Sequence, residues 1–393
     1  PAKPPRSRAI SHATTLPAAD TLTPPPAAAA TPRPRVPFWD NARFACIVLV
    51  VVGHAVQRLA QDSDAAMTLY LLIYAFHMPA FAIISGYFSK GGAPNGRQMT
   101  RVLTDIVLPY IIFEALWTLT KFLVDGNTVV NFTKPSWTLW FLLALAIFRL
   151  ILPYLALLRW PLMWSIVISV TAGYLPNLDS TFALNRTLAL LPFFVFGWWL
   201  NAHDIIARLR LLGRRPWWVP VVAAAVLVAA ACVLWFGLDG WHEMGLRRWF
   251  FYDSSYASMG NPEWWAGGVR IVLMVLAVVL TCAFVALVPQ RHTWWSHLGQ
   301  YTMYVYLLHT FVLYPFRESG VLRGLEPVWF WLPLVVVLAV GLSIALASKP
   351  VRIVFHGLIE PRAAWLFAKG APAPVSAPPA PPAPPATTPA PRG

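Results

Sequence analysis

Asp40-Asn41-Ala42-Arg43-Phe44-Ala45-Cys46-Ile47-Val48-Leu49-Val50-Val51-Val52-Gly53-His54 is the stretch whose reading decides the fold. It is apolar enough for a lipid environment, yet it carries a guanidinium and an imidazole eleven positions apart. In an α-helix eleven residues complete about three turns, so Arg43 and His54 fall on one face roughly 16 Å apart. Ionisable side chains are costly inside a bilayer, and a pair sharing one stripe is by default a candidate functional site.

The rest of the chain agrees with a membrane setting. Of 393 residues, 58% are hydrophobic and only 12% charged, more apolar surface than a soluble domain hides. Apolar runs recur at about 38–58, 66–89, 102–123, 137–157, 160–176, 187–202, 217–237, 267–289, 297–315 and 328–348. Each approaches the ~20 residues that a bilayer requires of a helix. The expected fold is therefore an all-α integral membrane bundle of about ten transmembrane helices. Pro176 and Pro192 interrupt the fifth and sixth runs, so either is expected to be re-entrant or short and tilted. Residues 1–36 and 370–393 are rich in Pro and Ala and poor in large apolar side chains, which predicts disordered tails around a membrane domain at 37–350 and a juxtamembrane segment at 351–369. The first apolar segment is long enough to span and is followed by no clear small-residue cleavage site, so a cleaved signal peptide is not expected.

Lys and Arg alternate between the loops. Lys3, Arg6, Arg8, Arg33 and Arg35 precede the first span; Lys90, Arg97 and Arg101 follow the second; Arg208, Arg210, Arg214 and Arg215 follow the sixth; and Lys349, Arg352, Arg362 and Lys369 follow the last. The charge bias predicts cytoplasmic termini in an inner (plasma) membrane, with Arg247 and Arg248 against the trend in a long loop that the bias governs weakly. The formal net charge of +14 does not indicate a nucleic-acid partner, because the cations are scattered over membrane-flanking loops and are accounted for by topology and membrane lipid. Cys46, Cys232 and Cys282 lie in apolar spans without CxxC spacing, and no His and carboxylate pair has convincing ligand spacing, so neither a disulfide framework nor a metal site is expected.

The Arg-x10-His spacing resembles the first-helix motif of the acyltransferase-3 family of multi-pass membrane O-acyltransferases. Phe76-His77-Met78-Pro79-Ala80-Phe81 with Ser85-Gly86-Tyr87-Phe88 is similar to the second-helix signature of the branch that includes fucose 4-O-acetylases. Trp137-Thr138-Leu139-Trp140-Phe141-Leu142 and Tyr304-Val305-Tyr306-Leu307-Leu308-His309 match its fourth- and penultimate-helix patterns, in the expected order. The resemblance implies transfer of an acyl group, acetyl above all, from cytoplasmic acyl-CoA to a hydroxyl of an envelope polysaccharide or glycolipid. No permanently bound cofactor is implied.

The residues themselves suit that chemistry. A neutral imidazole removes a proton from a hydroxyl near neutral pH, which makes His54 the candidate general base; a covalent acyl-histidine relay would use the same residue. The planar, permanently charged Arg43 would hold a CoA phosphate or the charge that develops on the attacked carbonyl. Asp40, one turn earlier, orients that guanidinium or caps the helix. His77 precedes a helix-kinking proline, Ser85-Gly86 allows close approach of a helix or an acyl chain, and Trp140 and His309 belong to the matched patterns. Glu114, Lys121 and Arg149 are further charges in apolar surroundings, and a Glu114–Arg149 pair is one way to satisfy two of them. Arg101 is the strongest cytoplasmic candidate for CoA phosphate. The loop 238–266, with Trp241, His242, Trp249, Phe250, Phe251, Tyr252, Tyr256, Trp264 and Trp265, reads either as a platform for a glycan or as an interfacial aromatic belt. Two other function classes remain: an exporter of lipid-linked saccharide, against which no internal repeat is visible, and a scaffold whose proline-rich tails bind partners, against which the buried Arg and His argue.

Overall fold

The computed structural model describes residues 36–126, 129–211, 215–321, 323–361 and 366. The predicted tails lie outside the described residues apart from Val36, as do most of residues 362–369.

The described residues form helices and loops, with no strand among them. In chain order the helices are α1 (Pro37–Val56), α2 (Asp64–Tyr87), α3 (Gly96–Val102), α4 (Leu108–Asp125), α5 (Trp140–Leu155), α6 (Pro161–Ala172), α7 (Leu184–Ala202), α8 (Ile205–Leu211), α9 (Trp218–Phe236), α10 (Leu238–Glu243), α11 (Leu246–Phe251), α12 (Ala266–Leu287), α13 (Thr302–Glu318), α14 (Val328–Leu346) and α15 (Lys349–Ile359). A π-helical turn at Leu103–Val107 joins α3 to α4 into one rod. Local chemistry sets the ends. The Ser63 side chain accepts from Ala66 N–H, Asn95 and Gln98 form a reciprocal capping box, and Gly126 ends α4 at φ +66°, a conformation that favours glycine.

Helices occupy all ten apolar runs, and seven are both long and apolar enough to cross a bilayer: α1, α2, the α3–α4 rod, α7, α9, α12 and α14. The helices of the fourth, fifth and ninth runs are shorter, with 16, 12 and 17 residues. Pro192 does not break the sixth run: α7 starts at Leu184, earlier than hydropathy suggests, and continues through the proline to Ala202. The fifth run ends sooner than expected, α6 stopping at Ala172, before Pro176.

The inner helices are α1 and α2, whereas α9, α12 and α14 present rows of exposed Val, Leu and Ile. Such a row suits lipid, against which apolar side chains need no protein cover. Small residues decide the tightest contact. A Cβ on Gly86 of α2 would lie 1.9 Å from the Phe194 carbonyl oxygen, and one on Gly197 of α7 would lie 1.9 Å from that of Ile83, so the two backbones touch. At the start of α1, Asn41 is fully buried and fixes the segment before α13. Its amide donates to the carbonyls of Pro289 and Arg291 at 2.9 and 3.0 Å, and its oxygen accepts from the hydroxyls of Thr293 and Ser296 at 3.1 and 2.6 Å. Replacing Gly86 with Leu forces α2 and α7 apart, and the expected cost of about 3 kcal/mol or more is checked by the thermal unfolding midpoint of the protein in detergent, with Gly92→Leu, which meets no atom within 4 Å, as control.

Candidate functional site

One stripe of α1, residues Arg43, Ile47, Val50 and His54, lines two cavities in series. The spacing of four, three and four residues is the helical repeat that keeps side chains on one face. The first cavity, about 210 Å³, holds Arg43, Ser85 and Arg149 among apolar residues of α1, α2 and α5 that include Ile47, Phe81 and Leu145. The second, about 480 Å³, holds His54, His77, Trp137, Trp140 and Tyr252. Val50 of α1, Met78 of α2 and Tyr306 of α13 line both, so three side chains form a septum between them. The Tyr306 hydroxyl donates to the Thr138 carbonyl, which ties the septum to the loop ahead of α5.

At the Arg43 end, the guanidinium lies 3.6 Å from the Asp40 carboxylate and 4.2 Å over the Phe88 ring. Asp40 thus faces Arg43 as the one-turn spacing predicts. Phe88 and Arg149 also line a third cavity, about 450 Å³, together with Lys90, Arg97 and Arg101. Four cations therefore surround this mouth, among which Arg149 faces both spaces.

At the other end, His54 Nδ1 is 3.3 Å from the Tyr74 hydroxyl. Its ring is edge-on to Trp137 and tilted against His309, with both centroids 5.5 Å away. His77 and His309 each direct Nδ1 at the carbonyl four residues back, Ile73 and Val305, at 2.9 Å. A carbonyl only accepts, so Nδ1 carries a proton in both, and in the neutral ring Nε2 is left as the acceptor. The His309 Nε2 is buried and has no protein hydrogen-bond partner.

The same end gathers charges that hydropathy placed in loops. Arg186, in the first turn of α7, donates to Asp253 at 2.6 Å and lies 4.9 Å over the Trp140 ring. Arg317 lies 5.0 Å over Trp137, and Glu318 is shared between Arg317 at 3.4 Å and Arg58 at 3.8 Å. The Glu114–Arg149 pair does not form. Glu114 instead accepts from the Ser136 N–H at 2.9 Å and its hydroxyl at 2.5 Å, and Lys121 Nζ donates to that hydroxyl at 2.7 Å. Glu114 meets the loop ahead of α5, while Arg149 lies further along α5 towards the Arg43 end. Gln57, Trp117, Thr138, Arg186 and Tyr252 each line the His54 cavity and each carry a buried polar side-chain atom with no protein hydrogen-bond partner.

The structure thus brings His54, His77 and Trp140 to one cavity, with His309 against His54 and Glu114 behind Lys121, and brings Arg43, Ser85 and Arg149 to the other, with Arg101 at its mouth. Of the aromatic loop, Phe250, Phe251 and Tyr252 reach the His54 cavity, while Trp264 is 86% exposed. Arg186, Arg317 and Tyr74 were not singled out by the sequence, and Tyr306 entered only within a matched pattern; for the two arginines the available signal was a cation at the edge of an apolar run.

The profile of a family described as an acyltransferase domain matches residues 36–348. Nodulation protein NolL of Mesorhizobium japonicum is 30% identical over 217 residues, which cover 51% of this chain and 56% of that protein, so the chain spans about half the length of the curated relative it matches. No solved structure matches.

Proposed function

Because the chain belongs to the acyltransferase-3 family, we propose that it is a membrane O-acyltransferase that carries a short acyl group, acetyl, from acyl-CoA to a hydroxyl of a cell-envelope polysaccharide or glycolipid. The observation that carries this reading is the α1 stripe with two cavities that meet at Val50, Met78 and Tyr306. The cations at the Arg43 end suit the phosphates of CoA, since guanidinium forks and ammonium groups bind phosphate with charge-assisted hydrogen bonds. The narrow apolar cavity beyond them suits the pantetheine arm, and the septum at its far end favours a short acyl chain. The wider cavity, with aromatic faces and unpaired polar atoms, suits a polyhydroxylated acceptor.

His54 lines the acceptor's cavity and not the donor's, which favours the general-base role over an acyl-histidine relay. The imidazole takes the proton of the acceptor hydroxyl as its oxygen attacks the thioester carbonyl. The tetrahedral intermediate collapses with cleavage of the C–S bond, and the thiolate leaves with that proton, so that one ester and one CoA thiol are formed. Tyr74 orients the imidazole through Nδ1, and His309 packs against its ring.

In this reading all ten helical runs lie in the inner membrane with both termini cytoplasmic, which puts Lys90, Arg97 and Arg101 with the CoA pool and the His54 cavity on the outer side. Labelled acetyl-CoA supplied to membranes at matched expression tests it, with label followed into glycolipid and polysaccharide. His54→Ala is expected to lower incorporation by ~10²-fold or more, and Arg149→Ala to raise the KM for acetyl-CoA about tenfold with kcat kept. Equal incorporation by wild type and His54→Ala would remove His54 from the chemistry.

A further inference from the structure

A fourth cavity, about 530 Å³, adjoins the His54 cavity and shares Trp140 and Arg186 with it. Its volume is within the range of small-molecule sites. The lining is polar: Asp179, Ser180, Asn185, Asp253, Ser254 and Ser258 contribute carboxylate, hydroxyl and amide groups. Three loops meet there beside the start of α7, which holds one of them, and an ion pair joins the other two. Asn185 donates to the Asp253 carbonyl at 2.5 Å, Arg186 and Ser254 donate to the two oxygens of its carboxylate at 2.6 and 2.9 Å, and Lys134 pairs with Asp179 at 3.2 Å. The Thr181 N–H and Lys134 hold the Asp179 carboxyl down to about 2, so it is ionised at any physiological pH.

The backbone is strained where these loops turn in. Trp137, Phe182, Ala183 and Tyr252 have φ of 41°, 51°, 54° and 56°, left-handed values that non-glycine residues rarely adopt. They stand directly before or among the residues that line the two cavities. Such strain costs on the order of 1–3 kcal/mol at each position and persists where the surroundings over-determine a functional geometry.

We propose that this cavity binds the next sugar ring of the acceptor, so that the acceptor is an oligosaccharide or the end of a glycan chain rather than a free monosaccharide. The proposal rests on the acyl-transfer reading for the ring in the His54 cavity. Two carboxylates disfavour an anion, and the density of polar groups disfavours an acyl chain. Vicinal hydroxyls match both features: they donate to Asp179 and Asp253 and accept from Asn185. Trp140 offers an aromatic face at the junction, where the linkage between rings would cross, and Arg186 stands beside it already fixed by Asp253.

The experiment uses the full chain with Ser258→Cys in a Cys232→Ser, Cys282→Ser background, whose two native thiols are exposed on α9 and α12 while Cys46 is buried. A charged, membrane-impermeant thiosulfonate labels the introduced thiol in the absence of acyl-CoA. The competitors are oligosaccharides of one to four rings released from the envelope glycan by partial acid hydrolysis. Fragments of two or more rings at ten times their Kd are expected to slow labelling about tenfold, with the single ring ineffective. Ser254→Cys, at a second position in the lining, repeats the measurement if the first variant folds poorly. Protection by the single ring as strong as by the longer fragments, or protection by none, would overturn the subsite. Protection with no transfer of label from acetyl-CoA to any fragment would overturn the acyl-transfer reading and leave the glycan site standing.

Discussion

Asn41 is the fixed point on which the rest depends. Its fully buried amide holds two carbonyls and two hydroxyls of the segment that leads into α13. A buried amide with its donors and acceptor satisfied sets the register of α1 against α13, because any rotation or slip would strand polar groups in an apolar interior. That register turns Arg43, Ile47, Val50 and His54 onto the cavity face. Beside the amide, Gly299 lets the same segment approach so closely that a Cβ would lie 1.9 Å from the Asp40 carbonyl oxygen. One polar clasp and one missing methyl group thus position both ends of the candidate site.

The second constraint is the cost of charge. The site carries its cations into a low-dielectric interior, where each requires a counter-charge or a polar bridge. The arrangements differ in kind: Arg43 has Asp40 one turn away on its own helix, Arg186 reaches Asp253 across a loop, Glu318 serves Arg58 and Arg317 together, and Lys121 meets Glu114 only through Ser136. Aromatic faces under three of the arginines add to this. Family membership selects acyl transfer over saccharide export, and the septum fits that choice, because an exporter must pass the whole saccharide whereas an acyltransferase need pass only an acyl group.

Most of the fold was legible because hydrophobicity and helical length are strong signals in a chain this apolar, and each of the ten runs holds a helix. What failed were the ends. Hydropathy began the sixth run at Leu188's neighbour Thr187 and ended the ninth at Pro315, so Arg186 and Arg317, which belong to α7 and α13, were read as loop residues. A charged residue in a terminal helical turn weakens the apolar pattern that would reveal it. The 3.6-residue period of α1 was sufficient to put Arg43 and His54 on one stripe, but no local pattern could show that Val50 divides it. That division needs Met78 and Tyr306, side chains from helices far apart in sequence. The Glu114–Arg149 expectation failed similarly: opposite charges on successive helices need not meet, and the intervening loop supplied Ser136 first.

The septum has a consequence for the membrane as an electrical barrier. A passage lined with arginines at one end and histidines at the other would conduct protons or small ions if it were continuous, and each elementary charge crossing would dissipate about 2.3 kcal/mol per 100 mV of membrane potential. On the proposed orientation Val50, Met78 and Tyr306 stand between the two halves, and the Tyr306 hydroxyl donates to the Thr138 carbonyl. At Val50 and Met78 the division is apolar, which denies a proton the hydrogen-bonded wire it would need.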